Sequence, residues 1–233
     1  MLNANCRGRF TADDFEFMVK ALARKREDAV ALVDLLGDQE FRDHILDHDA
    51  LYKELFDNVS CLNVSPYFYF YVLTRRVLRR AGLDDRALAD YLALMLTAFG
   101  RRAAEQEGVT NRMAQPYLSD LLIALSKASP SEGFMLRAHI ADCSLFISGI
   151  FADRVKMWHE YRGGPGLSFY EEMGQSNYHY VARHQLAARS EMEQIFAQLS
   201  GHFHKVRCAL NHLSENMLHL SKEDQDAAKL ISG

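Results

Sequence analysis

Proline is scarce in this chain of 233 residues, with only four in all. Long helices can therefore run without an internal breaker. Cysteine is scarce too: Cys6, Cys61, Cys143 and Cys208 are scattered, with no C-x-x-C. That spacing excludes a disulfide scaffold, a zinc ribbon and C-x-x-C-H haem attachment, and reads as reduced thiols in a cytoplasm. An excess of one charge is also missing, since 27 Lys and Arg face 31 Asp and Glu for a net −4. No global field draws the chain to nucleic acid or to an anionic membrane. The opening MLNANCRGRFTADDF has no apolar h-region, so no signal peptide is expected. No apolar run approaches the length that spans a bilayer. Period-2 alternation of Val, Ile and Thr is rare, which argues against sheet.

What remains is a chain with 48% hydrophobic residues and apolar positions recurring at helical spacing. The expectation is an all-α fold: a multi-helix bundle with a long C-terminal helix. The apolar content suffices for one core over 1–233. The polar stretch Glu105 to Gln115 is the best place for an N-terminal helical subdomain (1–104) to part from a C-terminal bundle (116–233). No repeat at solenoid periods is present.

The N-terminal half offers a run of helix starts and stops. Thr11 to Asp14 reads as a capping start for Phe15, Met18, Val19 and Leu22. Residues 27–36 form a short amphipathic helix closed by Gly37. Asp38 to Phe56 reads as one further helix. On it His44 and His48 sit at i,i+4, a spacing that permits a shared metal but more often marks packing or surface histidines. Ser65-Pro66 opens PYFYFYVLTRRVLRR, whose aromatic girdle implies burial between neighbours. Arg75, Arg76, Arg79 and Arg80 give its end a positive charge. Such a cluster can grip a phosphate or an acidic partner, but a solvated last turn is the commoner outcome. Gly82 stops this helix, and Asp84-Asp85 start the next.

The most unusual stretch is Phe134 to Ala182. Ser129-Pro130-x-Glu132 predicts a capped helix start. Met135, His139, Asp142, Phe146 and Ile150 then fall on one face. His139 and Asp142 are i,i+3 neighbours on that stripe, an arrangement that calls for mutual satisfaction. The pair reads either as an acid/base or ligand-binding pair or as a packing lock. Arg162-Gly163-Gly164-Pro165-Gly166 must turn the chain. It lacks the spacing and the following Lys of a phosphate loop. Ser168 to Glu171 looks like a second capping box, followed by Tyr170, Met173/Gly174, Tyr178 and Ala182 on one face. The tyrosines are placed to offer hydroxyls to His139 or Asp142. Gly174 costs about 1 kcal/mol against Ala in a helix, which suggests close approach of a neighbour, plausibly the helix of Gly149.

The last helix is the most regular. Met192, Phe196, Leu199, Phe203, Val206, Leu210, Leu213, Met217 and Leu220 alternate steps of four and three. The seam suits an antiparallel bundle or a homodimer. The opposite face carries His204, Cys208, His212, Glu215 and His219, within an arc of about 80°. The i,i+4 steps of His204, Cys208 and His212 make them weak candidates for a divalent metal; a plain polar face produces the same pattern.

Asp142, Leu145-Phe146, Gly149 and Phe151, then Tyr170, Met173-Gly174 and Tyr178, resemble a pattern of an uncharacterised family of bacterial all-helical proteins. The likeness covers about forty residues. Phe169 stands where Tyr is common, Ala141 where Gly is common, and Asn177 where Ala is common. The resemblance implies a helical fold and a bacterial source; the family carries no activity to transfer.

Several enzyme classes are excluded. No Glu has a His three residues later, so a di-iron carboxylate bundle is missing its motif. Arg154/His159 and Arg207/His212 fit an Arg-x4-His element of helical ribonucleases, but chance supplies about two such matches. No nucleophile elbow, H-E-x-x-H or dinucleotide fingerprint is present. The first expectation is a binding or interaction protein without catalysis, partnered by another protein or by itself, with no cofactor. The alternative is a small-molecule- or metal-dependent enzyme with a pocket between helices 130–152 and 168–188, lined by His139, Asp142, Tyr170 and Tyr178.

Overall fold

Helices of the N-terminal unit begin where a side chain can take up the idle amides of a first turn. Thr11 and Asp14 cap each other ahead of α1 (Ala12–Leu22). α2 covers Arg26–Leu35, and Asp38 accepts from the Phe41 amide at the start of α3 (Gln39–Leu46). α4 spans Asp49–Asp57, and Ser65 accepts from the Phe68 amide to open α5 (Pro66–Arg80). Asp85 accepts from Leu88 N ahead of α6 (Arg86–Glu105). α7 (Gln115–Leu125), α8 (Pro130–Ile150), α9 (Ala152–Arg162), α10 (Leu167–Ala182), α11 (Gln185–Arg189), α12 (Glu193–Gly201) and α13 (203–216) follow. The computed structural model describes residues 4–23, 25–57, 63–105 and 115–216. Among these every regular element is helical, as the hydrophobic spacing predicts. No single described helix is long and apolar enough to cross a membrane.

The chain divides into two compact units, 4–102 and 103 onward. Most of the stretch expected to link two halves, 106–114, lies outside the described residues. In the N-terminal unit α5 is the central rod. Phe68, Tyr71, Val72, Leu73, Val77 and Leu78 are buried, and Phe10 and Phe17 meet Phe68 edge-on at 5.3 and 5.9 Å. Of the aromatic girdle, Phe68 and Tyr71 are therefore core, and Tyr67, Tyr69 and Phe70 are half-buried. Gly82, at φ +73°, ends α5 in a Schellman turn: Leu83 N donates to Leu78 O and Gly82 N to Arg79 O. Asp14 ties the start of α1 to the start of α5. Its fully buried carboxylate accepts from Ser65 N and Ser65 Oγ, both at 2.6 Å.

One expectation for this unit is corrected. Asp38 to Phe56 is not one helix; it breaks at Asp47 and His48. Asp47 is drawn into an arginine cluster, and His48 Nδ1 accepts from Ala50 N to start α4. At the end of α5 Arg79 and Arg80 are exposed, as a solvated last turn requires, whereas Arg75, one turn earlier, is only 3% exposed.

In the C-terminal unit α8 and α10 pack on each other and α10 on α12. α8 buries its small-residue face. Ser144 and Ser148 are fully buried and return their hydroxyls to the carbonyls of Ile140 and Ser144. The stripe Met135, His139, Asp142, Phe146 and Ile150 is instead the outer edge: Met135 is exposed and the rest half-buried. The chain bends by 89° at Phe151, between α8 and α9. Gly163, at φ +64°, ends α9 as the glycine-rich turn requires.

The long C-terminal helix is two helices, broken at His202. Its seam survives the break, since Met192, Phe196, Leu199, Phe203, Val206, Leu210 and Leu213 are all buried. Met217 and Leu220 lie outside the described residues. The glycines explain how α13 sits so close. A Cβ on Gly174 would meet Phe203 Cε2 at 2.1 Å, and one on Gly149 would meet Leu210 Cβ at 2.9 Å. Gly174 thus makes room for α13, not for the helix of Gly149.

Candidate functional site

Of the residues singled out on α8 and α10, the structure joins Asp142 and Tyr178. The Tyr178 hydroxyl donates to Asp142 Oδ1 at 2.7 Å, and the Tyr178 ring is fully buried, with Phe196 at 6.0 Å and Phe203 at 6.1 Å. His139 Nε2 lies 3.9 Å from Cys143 Sγ, one turn along α8. Tyr170 is buried beside Phe169, and burial raises its phenol above the ordinary value. The α8–α10 contact is a packed helix interface in which a phenol and a carboxylate satisfy each other.

A second constellation lies on the outer side of α10. Ser168 is not a cap; α10 begins at Leu167 with Gly166 at its N-cap. Glu171, which the pattern assigns to a capping box, reaches α13 instead. Its Oε1 accepts from His204 Nδ1 at 2.9 Å and from Arg207 Nε at 2.5 Å. Cys208 Sγ lies 3.6 Å from His204 Nε2 and accepts from Arg207 Nη2 at 3.2 Å. His212 pairs with Asn216. Among the described residues no group of three or more His, Cys, Asp or Glu side chains is placed to hold a metal ion. His219 is outside them.

The third constellation, in the N-terminal unit, is the open polar cleft that sequence reading did not find. Its volume is about 1250 Å³, and its walls carry Arg7, Arg75, Arg76, Arg79 and Arg86 together with Asp47, Asp49, Asp84 and Asp85. His44 and His48 also line it. Asp47 is the hub. It accepts from Arg75 Nε at 2.8 Å and Arg86 Nη2 at 2.8 Å, with Arg79 Nη1 at 3.8 Å. Burial by itself would raise the Asp47 carboxyl, but the hydrogen bonds and charge of Arg75, then the charges of Arg86 and Arg79, hold it below the ordinary value. Arg7 holds Asp43 at 2.5 Å and Asp90 at 3.0 Å. Asp90 is so deeply buried that desolvation raises its carboxyl in spite of Arg7.

These carboxylates fall into two kinds. Asp43, Asp47 and Asp90 are 18%, 13% and 3% exposed, and they fix the guanidiniums from inside. Asp49 and Asp84 are 72% and 69% exposed, and they cover Arg76 and Arg75 from the solvent side. Buried Arg75 Nη1 and Arg76 Nε have no protein partner. The Arg-Arg-x-x-Arg spacing on α5 was the signal for this cleft; its meaning depended on Asp47 and Asp84, which come from separate turns.

No protein-family model, curated protein or solved structure matches the chain.

Proposed function

We propose that the chain is a binding protein without catalysis, whose N-terminal unit receives an acidic segment of a protein partner. One observation carries the reading: Arg75 and Arg79 of α5, held from behind by largely buried Asp47, face an open cleft together with Arg76, and the side chains that cover Arg76 and Arg75 there are the exposed Asp49 and Asp84. Exposed ion pairs are worth about 0–1 kcal/mol. An incoming carboxylate can therefore displace these two side chains into water at small cost and take over planar donors suited to it. Arg79 is the most available, being 39% exposed with its closest bond to the Asp47 carbonyl at 3.2 Å. The cleft is too open to enclose a small molecule, which favours an extended segment. The thiols of Cys6, Cys143 and Cys208 support a reducing cytoplasm, and the family resemblance supports a bacterial source.

Calorimetric titration of heptaglutamate into the full chain tests the reading. Binding is expected at low salt, weakening as salt rises. It is expected to be lost in the Arg76→Glu/Arg79→Glu variant and to tighten in Asp49→Asn, which removes a competing carboxylate. No binding at low salt, or indifference to these substitutions in a folded protein, overturns the reading.

A further inference from the structure

The cleft leaves the α10–α13 constellation without a role. Cys208 is exposed, whereas Cys6 and Cys143 are buried. Burial also pushes the Cys6 thiol up to about 12, so it is inert at neutral pH. Cys208 is not an isolated surface thiol. Two side chains, His204 and Arg207, reach its sulfur, and Glu171 from a second helix holds both of them. Glu171 accepts from His204 Nδ1, which leaves the lone pair of the imidazole on Nε2. That nitrogen is the one facing Cys208 Sγ, at 3.6 Å. Arg207 lies on the same sulfur at 3.2 Å and is anchored on the same Glu171 oxygen. Arg207 is only 8% exposed, so its guanidinium is held in place by packing.

Nucleophile, base and orienting carboxylate within hydrogen-bond reach is the arrangement that activates a thiol. Here it is built on two packed helices rather than on a loop. The His204–Cys208 i,i+4 step lets one helical turn set the nucleophile–base distance. α10 supplies the third member, because Gly174 lets α13 approach through Phe203.

We infer that Cys208 is a nucleophilic thiol that undergoes exchange with low-molecular-weight disulfides, with His204 as its base, Glu171 as the positioning residue and Arg207 as the donor to its sulfur. In the step, the thiol proton passes from Sγ to His204 Nε2. The thiolate attacks one sulfur of the small disulfide, and a protein–S–S–R bond forms as the R–S–S–R bond breaks. The departing R–S⁻ takes the proton back from the imidazolium. Cys208 is oxidised to the mixed disulfide, and one half of the reagent is reduced to its thiol. A second equivalent of small thiol reverses the reaction, so the site is a reversible modification point.

The test uses the full-length protein with two reagents, the anionic aromatic disulfide 5,5′-dithiobis(2-nitrobenzoate) and neutral iodoacetamide. Rates are assigned to Cys208 by peptide mass spectrometry, with Cys208→Ser as the blank. Cys208 is expected to react with both reagents at least about tenfold faster than N-acetylcysteine at pH 7, within what a positioned base supplies. His204→Gln, at a residue whose side chain is 65% exposed, should fold normally and remove most of that advantage. Glu171→Gln should give an intermediate rate with unchanged Tm. A Cys208 rate equal to that of N-acetylcysteine overturns the inference, and so does a rate that His204→Gln leaves unchanged. Acceleration confined to the anionic reagent also overturns it, since that would report attraction to Arg207 and not an activated sulfur.

Discussion

Replacing Gly174 by alanine is the sharpest probe of how the C-terminal unit is packed. Helix propensity alone says the change should help, by about 1 kcal/mol. The structure says the opposite. The new methyl would lie 2.1 Å from Phe203 Cε2 and 2.2 Å from Cζ. Ordinary carbon contacts are about 3.5–4.0 Å. Either the ring moves by roughly 1.5 Å or α10 and α13 separate by as much. Phe203 is fully buried, with the Tyr178 ring at 6.1 Å, so it has no open space to enter. Overpacking of this kind costs about 1–3 kcal/mol, and the severity of the overlap places it at the upper end. The net change is a loss of about 1–2 kcal/mol, or roughly 3–6 °C in Tm for a chain of this size. Gly133→Ala is the control, because its methyl would meet Leu125 Cδ1 at an ordinary 3.8 Å, and it should be neutral or stabilising. Thermal unfolding followed by circular dichroism reads both. A double-mutant cycle with Phe203→Leu should show positive coupling, the smaller side chain recovering part of the Gly174→Ala loss. A Gly174→Ala protein as stable as the parent, or a cycle with no coupling, would refute the packing argument.

Other expected outcomes follow from the same contacts. Asp142→Ala strips the acceptor from the buried Tyr178 hydroxyl and should cost about 1–3 kcal/mol, a Tm drop of several degrees; unchanged stability would show that the bond does not lock α8 to α10. Asp14→Ala leaves the Ser65 amide and hydroxyl and the Thr11 amide without their acceptor and should cost about 3 kcal/mol or more in urea unfolding. Asp47 has a folded value below its ordinary 3.8, so its contribution is present above 3.8 and is lost as pH falls through the folded value. The N-terminal unit should therefore lose stability in the acid range below about pH 4. In Arg75→Met, which removes the main partner, that acid-limb loss should shrink. Asp90, raised by burial, acts in the opposite sense: its contribution is present below the ordinary value and fades as pH rises through the folded one. Urea midpoints at pH 3, 5 and 7 separate the two.

Local signals in the sequence were reliable where one segment supplies all the physics. The Thr11–Asp14 box, the Ser65 cap, the Gly82 stop and the buried seam from Met192 to Leu213 each depend on residues within a turn or two, and each is present. What failed depended on partners from elsewhere. Glu171 has the spacing of a cap, yet it serves His204 and Arg207, which lie on another helix. Arg75 looks like part of the solvated end that Arg79 and Arg80 do form, until Asp47 and Asp84 come in from two other turns and bury it. Asp38 to Phe56 keeps an amphipathic pattern across Asp47, so periodicity gave no hint of the break. On α8 the apolar stripe through Met135 and Phe146 was the more conspicuous, but the residues buried are Phe134, Ile140 and Leu145 together with the small Ala138, Ala141 and Ser148. Close helix packing selects for small side chains, and a hydrophobicity pattern does not register them. That a tyrosine of α10 would reach a polar group of α8 was legible, because a buried polar group must find a partner; which of Tyr170 and Tyr178 would meet His139 or Asp142 was not.

The claim that the α5 guanidiniums receive an acidic segment is tested most directly by side-chain NMR of the arginine Nε–Hε groups during addition of heptaglutamate. The account predicts that the Arg76 and Arg79 resonances shift first and saturably, while Arg7, held between Asp43 and Asp90, stays in place. Shifts confined to arginines outside the cleft, or no shift at all at low salt, would contradict it.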